Sequence, residues 1–342
     1  CYQCGNCTAT CPLSEENIVK TRKLIKYVQL GLKDRVLGEL TPWLCYYCGE
    51  CSDTCPKQAD PGEIMMAIRR YQIQQFSWGR IAKVFYSKTA AAVTFILFTI
   101  FVIAAFYFFH GPMVTEYVDI YSFISYDLIH EIGIVAGIFI GLSALANLVI
   151  MYNHAKRVNR SKNPAGIGKW IKGLIVTIVN EVLLQLRFTK CTNGKNRYIA
   201  HMSLFWGFIG LFVATGIHYI GDILNIHVDV IYPRTLGIIT GILLMYGSSY
   251  FIYKRLEKKE NYTKYSHFSD WLFLILVFMT GLTGFLIDVF LYANMAMATY
   301  IMYALHLLFV FDLLVTAPFT KFVHAVYRPL ALWVNGVWSE VV

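Results

Sequence analysis

The sequence predicts a mainly α-helical protein in two parts, a small cysteine-rich helical domain followed by a six-helix transmembrane bundle. Three observations carry this. Eight of the nine cysteines fall in two copies of one spacing within the first 55 residues. Six long apolar stretches follow, near 89–109, 128–152, 201–220, 235–253, 270–292 and 298–320. The charges flanking them alternate from loop to loop.

The first cysteine run is Cys1-x-x-Cys4-x-x-Cys7-x-x-x-Cys11-Pro12, and the second is Cys45-x-x-Cys48-x-x-Cys51-x-x-x-Cys55-Pro56. This is the ligand spacing of a protein with two [4Fe–4S] clusters, in which the fourth cysteine of each run crosses to the other cluster. The expected sets are Cys1, Cys4, Cys7 and Cys55 on one cluster, and Cys45, Cys48, Cys51 and Cys11 on the other. Zinc sites commonly use separated pairs, often with histidine, and disulfide frameworks belong to secreted domains. Neither suits eight thiols in three-plus-one groups ahead of membrane spans. The chain opens on Cys1 rather than Met, so it is expected to be part of a longer one.

Residues 1–76 read as the two-cluster, ferredoxin-like domain. Between the runs, Ser14–Leu40 reads as helical, with Ser14 as cap and Glu15 and Glu16 in the first turn. A second helix is expected over 61–76, starting at Pro61. Residues 77–88 read as a basic linker and 89–342 as the membrane domain. Only 15% of residues are charged and 57% are hydrophobic, against about 25% charged in soluble proteins. Each apolar stretch is close to the ~20 residues that cross a bilayer.

Orientation follows from lysine and arginine. Arg69, Arg70, Arg80, Lys83 and Lys88 precede the first span, whereas 110–127 carries only acidic charge. The loop 153–200 holds ten basic residues, 221–234 only Arg234, 254–264 five, and 293–297 none; Lys321 and Arg328 follow the last span. The cysteine domain and the C-terminus are therefore expected on the cytoplasmic face of an inner, multi-pass membrane protein. The net charge of +9 is mostly this bias, and no nucleic-acid partner is expected. Segment 167–188, apolar but broken by Lys169, Lys172, Asn180 and Glu181, reads as an interfacial amphipathic helix. Cys191 just beyond it reads as an ordinary reduced thiol.

Histidines inside spans are costly and functional by default. His201 and His218 bracket the third span, and His306 and His324 the sixth. On one continuous helix the last pair, 18 residues apart, share a face about 27 Å apart. In antiparallel helices His201 pairs in depth with His324 on the inner side, and His218 with His306 on the outer side. Two such levels suit two b-type haems, each with two axial histidines. His130 competes for the outer site, while His110, His154, His227 and His267 read as solvated. Asp127, His130, Glu131, Asp222 and Asp288 are candidates for an outer proton route.

Tyr303-Ala-Leu-His306 with Phe319-Thr-Lys-Phe-Val-His324 resembles the last helix of the cytochrome b (gamma) subunit of respiratory nitrate reductase. Ala200-His201-Met-Ser-Leu-Phe-Trp-Gly resembles its partner helix. That family's second histidine falls ten residues after the first, where this chain has Leu211; His218 stands seven further on. The cysteine domain resembles the small iron–sulfur subunit of heterodisulfide reductase. The fusion is similar to the membrane component of quinone-interacting membrane-bound oxidoreductases of sulfate reducers. The resemblance implies electron exchange between menaquinone and soluble flavin and iron–sulfur subunits, through haem b and two clusters. Related fusions serve heterodisulfide reductase-like and other respiratory complexes. A transporter with a regulatory iron–sulfur domain would show broken helices and inverted repeats, and no clear repeat is visible.

Overall fold

The computed structural model describes residues 1–14, 19–159, 165–191 and 195–338, with the side chains of His218 and Asp222 outside that description. Helices make up 79% of the structure and no strand occurs among the described residues, so the mainly-α class holds.

The two cysteine runs fold alike. Each turns through a residue with positive φ, Gln3 or Tyr47, and a glycine, Gly5 or Gly49. Each then enters a one-turn helix, Asn6–Ala9 or Glu50–Asp53. The copies meet at equivalent residues: the Thr10 and Thr54 hydroxyls are 3.2 Å apart, and the Asn6 amide donates to the Thr54 carbonyl. The expected helix over Ser14–Leu40 is two helices, α1 (Thr21–Gln29) and α2 (Lys33–Gly38). Gly31 separates them at φ +65°, a conformation that breaks a right-handed helix. Ser14 caps neither helix and donates instead to the Val19 carbonyl; Glu15 and Glu16 lie outside the described residues. α3 (Pro61–Phe76) begins at proline behind Asp60, whose carboxylate accepts from the Glu63 amide. Leu24, Ile25, Val36, Met65 and Ile68 form a small core between these three helices.

Among the described residues six helices are long and apolar enough to cross a membrane. They are α4 (Lys88–Phe109), α5 (Tyr126–Val158), then, after α6 (Ile167–Val176), α7 (Lys195–Ile223), α8 (Ile231–Glu257), α9 (Phe268–Tyr292) and α10 (Ala296–Thr316). Glycines let α7 and α8 approach closely. A Cβ on Gly207 would stand 2.5 Å from the Leu244 amide nitrogen, and one on Gly247 would stand 2.6 Å from the Ala200 carbonyl. Close backbone approach through small residues is how helices associate in lipid, where burial from water no longer drives them together.

The sixth span is not one helix running to His324. Pro318 has no N–H to continue the ladder. The chain passes through two short turns, Ala317–Phe319 and Lys321–Val323, before α11 (His324–Trp338) begins. The five-turn relation expected of His306 and His324 therefore does not apply.

One core joins the two halves. Leu40, Trp43, Leu44 and Tyr46 of the cysteine domain pack with Met151 and Ala155 of α5 and with Tyr327, Ala331 and Leu332 of α11. The stretch 77–88 carries a short helix, Ala82–Phe85, whose Ala82 and Phe85 are buried in that core. Segment 167–188 holds α6, then a wider turn over Thr177–Leu183 and a short helix over Leu186–Lys190. α6 lies on α11 through Gly173 and through a Trp333 indole donating to the Trp170 carbonyl. Ile167, Ile171 and Ile175, four residues apart on one face, remain exposed.

Candidate redox centres at the junction

The fold mixes the two cysteine runs. The Cys7 thiol neighbours Cys4 and Cys55, and the Cys11 thiol neighbours Cys45 and Cys48. Cys51 also faces Cys45, Cys48 and Cys11, and, less strongly, Cys7. The fourth cysteine of each run thus reaches the other run's group. Burial pushes the thiols of Cys7, Cys11 and Cys51 up, and neighbouring thiols add to it. Several thiolates this close need positive charge between them, which iron supplies. The Tyr47 amide donates to the Cys45 sulfur at 3.3 Å and the Ala59 amide to the Cys55 sulfur at 3.4 Å. Hydrogen bonds to sulfur are among the features that set cluster potentials. Among the described residues no three His, Cys, Asp or Glu side chains form a site for one metal ion. A four-iron cluster holds its thiolates wider apart than a single ion does, so the donor set fits a cluster.

The two groups differ in surroundings. Cys1 and Cys4 are exposed, whereas the second run is half-buried throughout. Three guanidinium groups flank the second run. Arg69 and Arg328 both donate to the Cys45 carbonyl, at 2.7 and 3.1 Å, and Arg197 donates to the Tyr47 carbonyl at 3.0 Å. Arg328 also lies 3.5 Å from the centre of the Tyr46 ring, a cation–π contact. Burial, and then Arg328, lower Arg69 to about 10, and it stays charged at neutral pH. These arginines escaped the sequence reading, which used basic residues only to orient spans.

Beneath this group lies a cavity of about 520 Å³ that contains His201 and His324. Their ring centroids are 6.5 Å apart, room for one metal atom with bonds of roughly 2 Å to a nitrogen of each ring. The His324 Nδ1 is 2.7 Å from the Lys321 carbonyl, which turns Nε2 toward the cavity; such a bond on the far nitrogen fixes a metal-binding imidazole. The His201 Nδ1 is buried without a partner among the described residues. Phe188 stacks on His201 at 5.7 Å, and Phe273 meets His324 edge-on at 6.1 Å. Lys321 and Arg255 also line the cavity and share Asp270, which accepts from Lys321 and stands 3.7 Å from Arg255. Two facing imidazoles, aromatic walls and cations at one end suit a haem, whose ring is apolar and whose propionates are anionic.

The far side is less complete. His306 is 3.1 Å from the Thr283 hydroxyl and packs against Gly284, where a Cβ would stand 3.3 Å from the ring. Its expected partner, His218, has its side chain outside the described residues. His130 stacks at 4.5 Å on Tyr219, the residue after His218, and its Nδ1 is 2.8 Å from the Tyr126 carbonyl. Asp288 is paired with Arg234 at 2.8 Å; Asp222 lies outside the description. Two histidines expected to be solvated are half-buried. His267 caps α9 and stacks on Tyr86, and His154 packs on Phe76. Asp312, in the last third of α10, is buried with Oδ1 unpartnered among the described residues. An acidic residue inside a span was a signal available in the sequence.

Residues 1–59 match the family model of a 4Fe–4S dicluster domain. Curated relatives match part of the molecule. A protein of Archaeoglobus profundus, described as like the C component of heterodisulfide reductase, is 40% identical over 83 residues, 24% of this chain and 44% of that protein. The C2 component of an H(2)/formate:CoB-CoM heterodisulfide,ferredoxin reductase of Methanococcus maripaludis is 39% identical over 83 residues, 24% and 43%. The chain thus spans less than half the length of these relatives. No solved structure matches. The cysteine domain is an iron–sulfur domain like that small component of heterodisulfide reductase, joined to six helices long and apolar enough to cross a membrane. Residues 111–336, about two thirds of the molecule, match the model described as citrate utilization protein B, and the chain belongs to that family.

Proposed function

We propose that the chain passes electrons across the interface between a membrane quinone pool and soluble flavin and iron–sulfur subunits of one oxidoreductase complex. Two [4Fe–4S] clusters would be held by Cys1, Cys4, Cys7 and Cys55, and by Cys45, Cys48, Cys51 and Cys11. One b haem would be held by His201 and His324, and a second by His218 and His306 on the far side. The clusters and haems supply one-electron steps, and menaquinone in anaerobic respiration is the expected membrane substrate. The positive-inside pattern favours a cytoplasmic position for the cysteine domain.

The protein's own residues orient and insulate. The Lys321 carbonyl holds the His324 ring in place, and Phe188 and Phe273 exclude water from the two imidazoles. Arg69 and Arg328 put positive charge beside Cys45, which favours the reduced, more negative state of a cluster there. The observation that carries the proposal is the 6.5 Å pairing of His201 with His324 directly beneath the second cysteine run.

A dithionite-reduced spectrum of the purified chain tests it. Reduced b-haem bands are expected, and H201A and H324A are each expected to remove one haem while the cluster signals remain. A chain without haem bands sinks the reading. The family description, citrate utilization, favours a second reading of the soluble end, in which the partner subunits act on a carboxylic acid rather than in sulfate reduction. The subunits that co-purify with the full-length protein distinguish the two.

A further inference from the structure

The ninth cysteine is not a spare thiol. Cys191 is buried in the junction core against which Cys48 of the second run packs, which makes the two thiols neighbours. One short turn earlier stands Phe188, whose carbonyl accepts from the Cys191 amide at 3.3 Å. Phe188 is also buried, and its ring stacks on His201 at 5.7 Å and meets Tyr46 edge-on at 5.2 Å. A three-residue step in the Leu186–Lys190 turn thus sets one side chain on a cluster ligand and the other on an axial histidine candidate. Among the described residues nothing comparable reaches Cys1 and Cys4, which are exposed, and Tyr2 is 77% exposed.

We propose that electrons cross between the membrane bundle and the cysteine domain at the second run, with Phe188 as the packed bridge and Cys191 as the contact that tunes that cluster. This rests on the functional reading above. In the step, one electron would pass from a reduced haem held by His201 and His324 to an oxidised cluster held by Cys45, Cys48, Cys51 and Cys11. No bond is made or broken. The first cluster is then the outer station, facing the soluble partner.

Redox titration of the full chain in detergent, followed by electron paramagnetic resonance, reads both cluster potentials. C191A is expected to lower one potential and leave the other, because a hydrogen bond to a cluster sulfur favours the reduced state. C191S keeps a donor of similar size and is expected to shift the same cluster less. R22Q identifies the other signal, since the Arg22 guanidinium lies 3.4 Å from the Cβ position of Gly5 in the first run; it is expected to move only the cluster that C191A leaves unmoved. F188L is expected to slow reoxidation of the reduced haem by the clusters, with both potentials unchanged. Unmoved potentials in both Cys191 variants, or a shift of the cluster that R22Q moves, overturn the tuning role. An unchanged rate in F188L overturns the bridge. Absence of haem defeats the functional reading and the bridge together, while the C191A titration still decides the tuning.

Discussion

The two cysteine runs share one spacing, one backbone path and one pair of equivalent threonines, yet they inhabit different chemistry. The first turns around Gly5 at the edge of the molecule, with Cys1 and Cys4 open to solvent. The second turns around Gly49 against Asn261 of the α8–α9 loop, under three arginines and over the histidine cavity. Spacing therefore decides that a cluster is held, and the surroundings decide what that cluster does. The same division holds in the membrane. Of the 22 residues of α4, Ala91 and Val102 are buried inside the molecule, whereas a third of the most apolar stretches of α9 and α10 is buried. Apolar length makes a span, and only contact makes it part of the site.

The sharpest way to break the comparison is to remove one cysteine from each run. C45A and C4A are each expected to lower iron and acid-labile sulfide by about half, since each run anchors one of two clusters. C45A should also loosen the junction, because Arg69 and Arg328 converge on its backbone, whereas C4A should leave haem content unchanged. Equal damage from both, read as haem per chain, would erase the distinction.

Next in size is the packing. Trp43 is buried at the junction with its ring 5.1 Å from that of Tyr327, and W43A is expected to cost about 3–5 kcal/mol. The exposed Tyr2 of the first run is expected to tolerate alanine within about 0.5 kcal/mol. Thermal unfolding in detergent measures both. The glycines sharpen the contrast further, because their backbone cost is shared. Gly5 and Gly49 stand at φ +91° and +96°, so alanine at either meets a left-handed penalty of about 1–2 kcal/mol. At Gly49 a Cβ would also lie 2.3 Å from Asn261, and G49A is expected to cost about 1–3 kcal/mol more than G5A. The smallest expected effect is electrostatic. R328Q should lower the potential of the second cluster alone, in a redox titration, by removing one of three cations.

Much of this was legible in the sequence. The cysteine spacing announces clusters because thiolates must reach iron from a short stretch of chain. The six spans announce themselves because a helix in lipid must be apolar along its whole length. The errors share a cause, which is contact between residues far apart in the chain. Nothing local to Ser14–Leu40 required two helices except Gly31, and a lone glycine is weak evidence. Pro318 was visible, but a proline near the end of an apolar stretch reads as flank rather than as a break between two helices. His267 and His154 sit beside charged loops, and their partial burial comes from Tyr86 in the expected linker and from Phe76 at the end of α3. Arg69, Arg197 and Arg328 come from three separate segments and become a group only when α3, α7 and α11 converge.

The interruption at Pro318 has a consequence for how the protein matures. It moves His324 off the last span and onto α11, whose Tyr327, Ala331 and Leu332 belong to the core shared with the cysteine domain. On the proposed reading, the lower histidine is then positioned by the folded iron–sulfur domain rather than by the bundle. A chain starved of iron would insert its helices and still lack a well-formed seat for haem. Acquisition of one cofactor becomes conditional on the other, and a half-built relay is kept from drawing electrons it has no means of passing on.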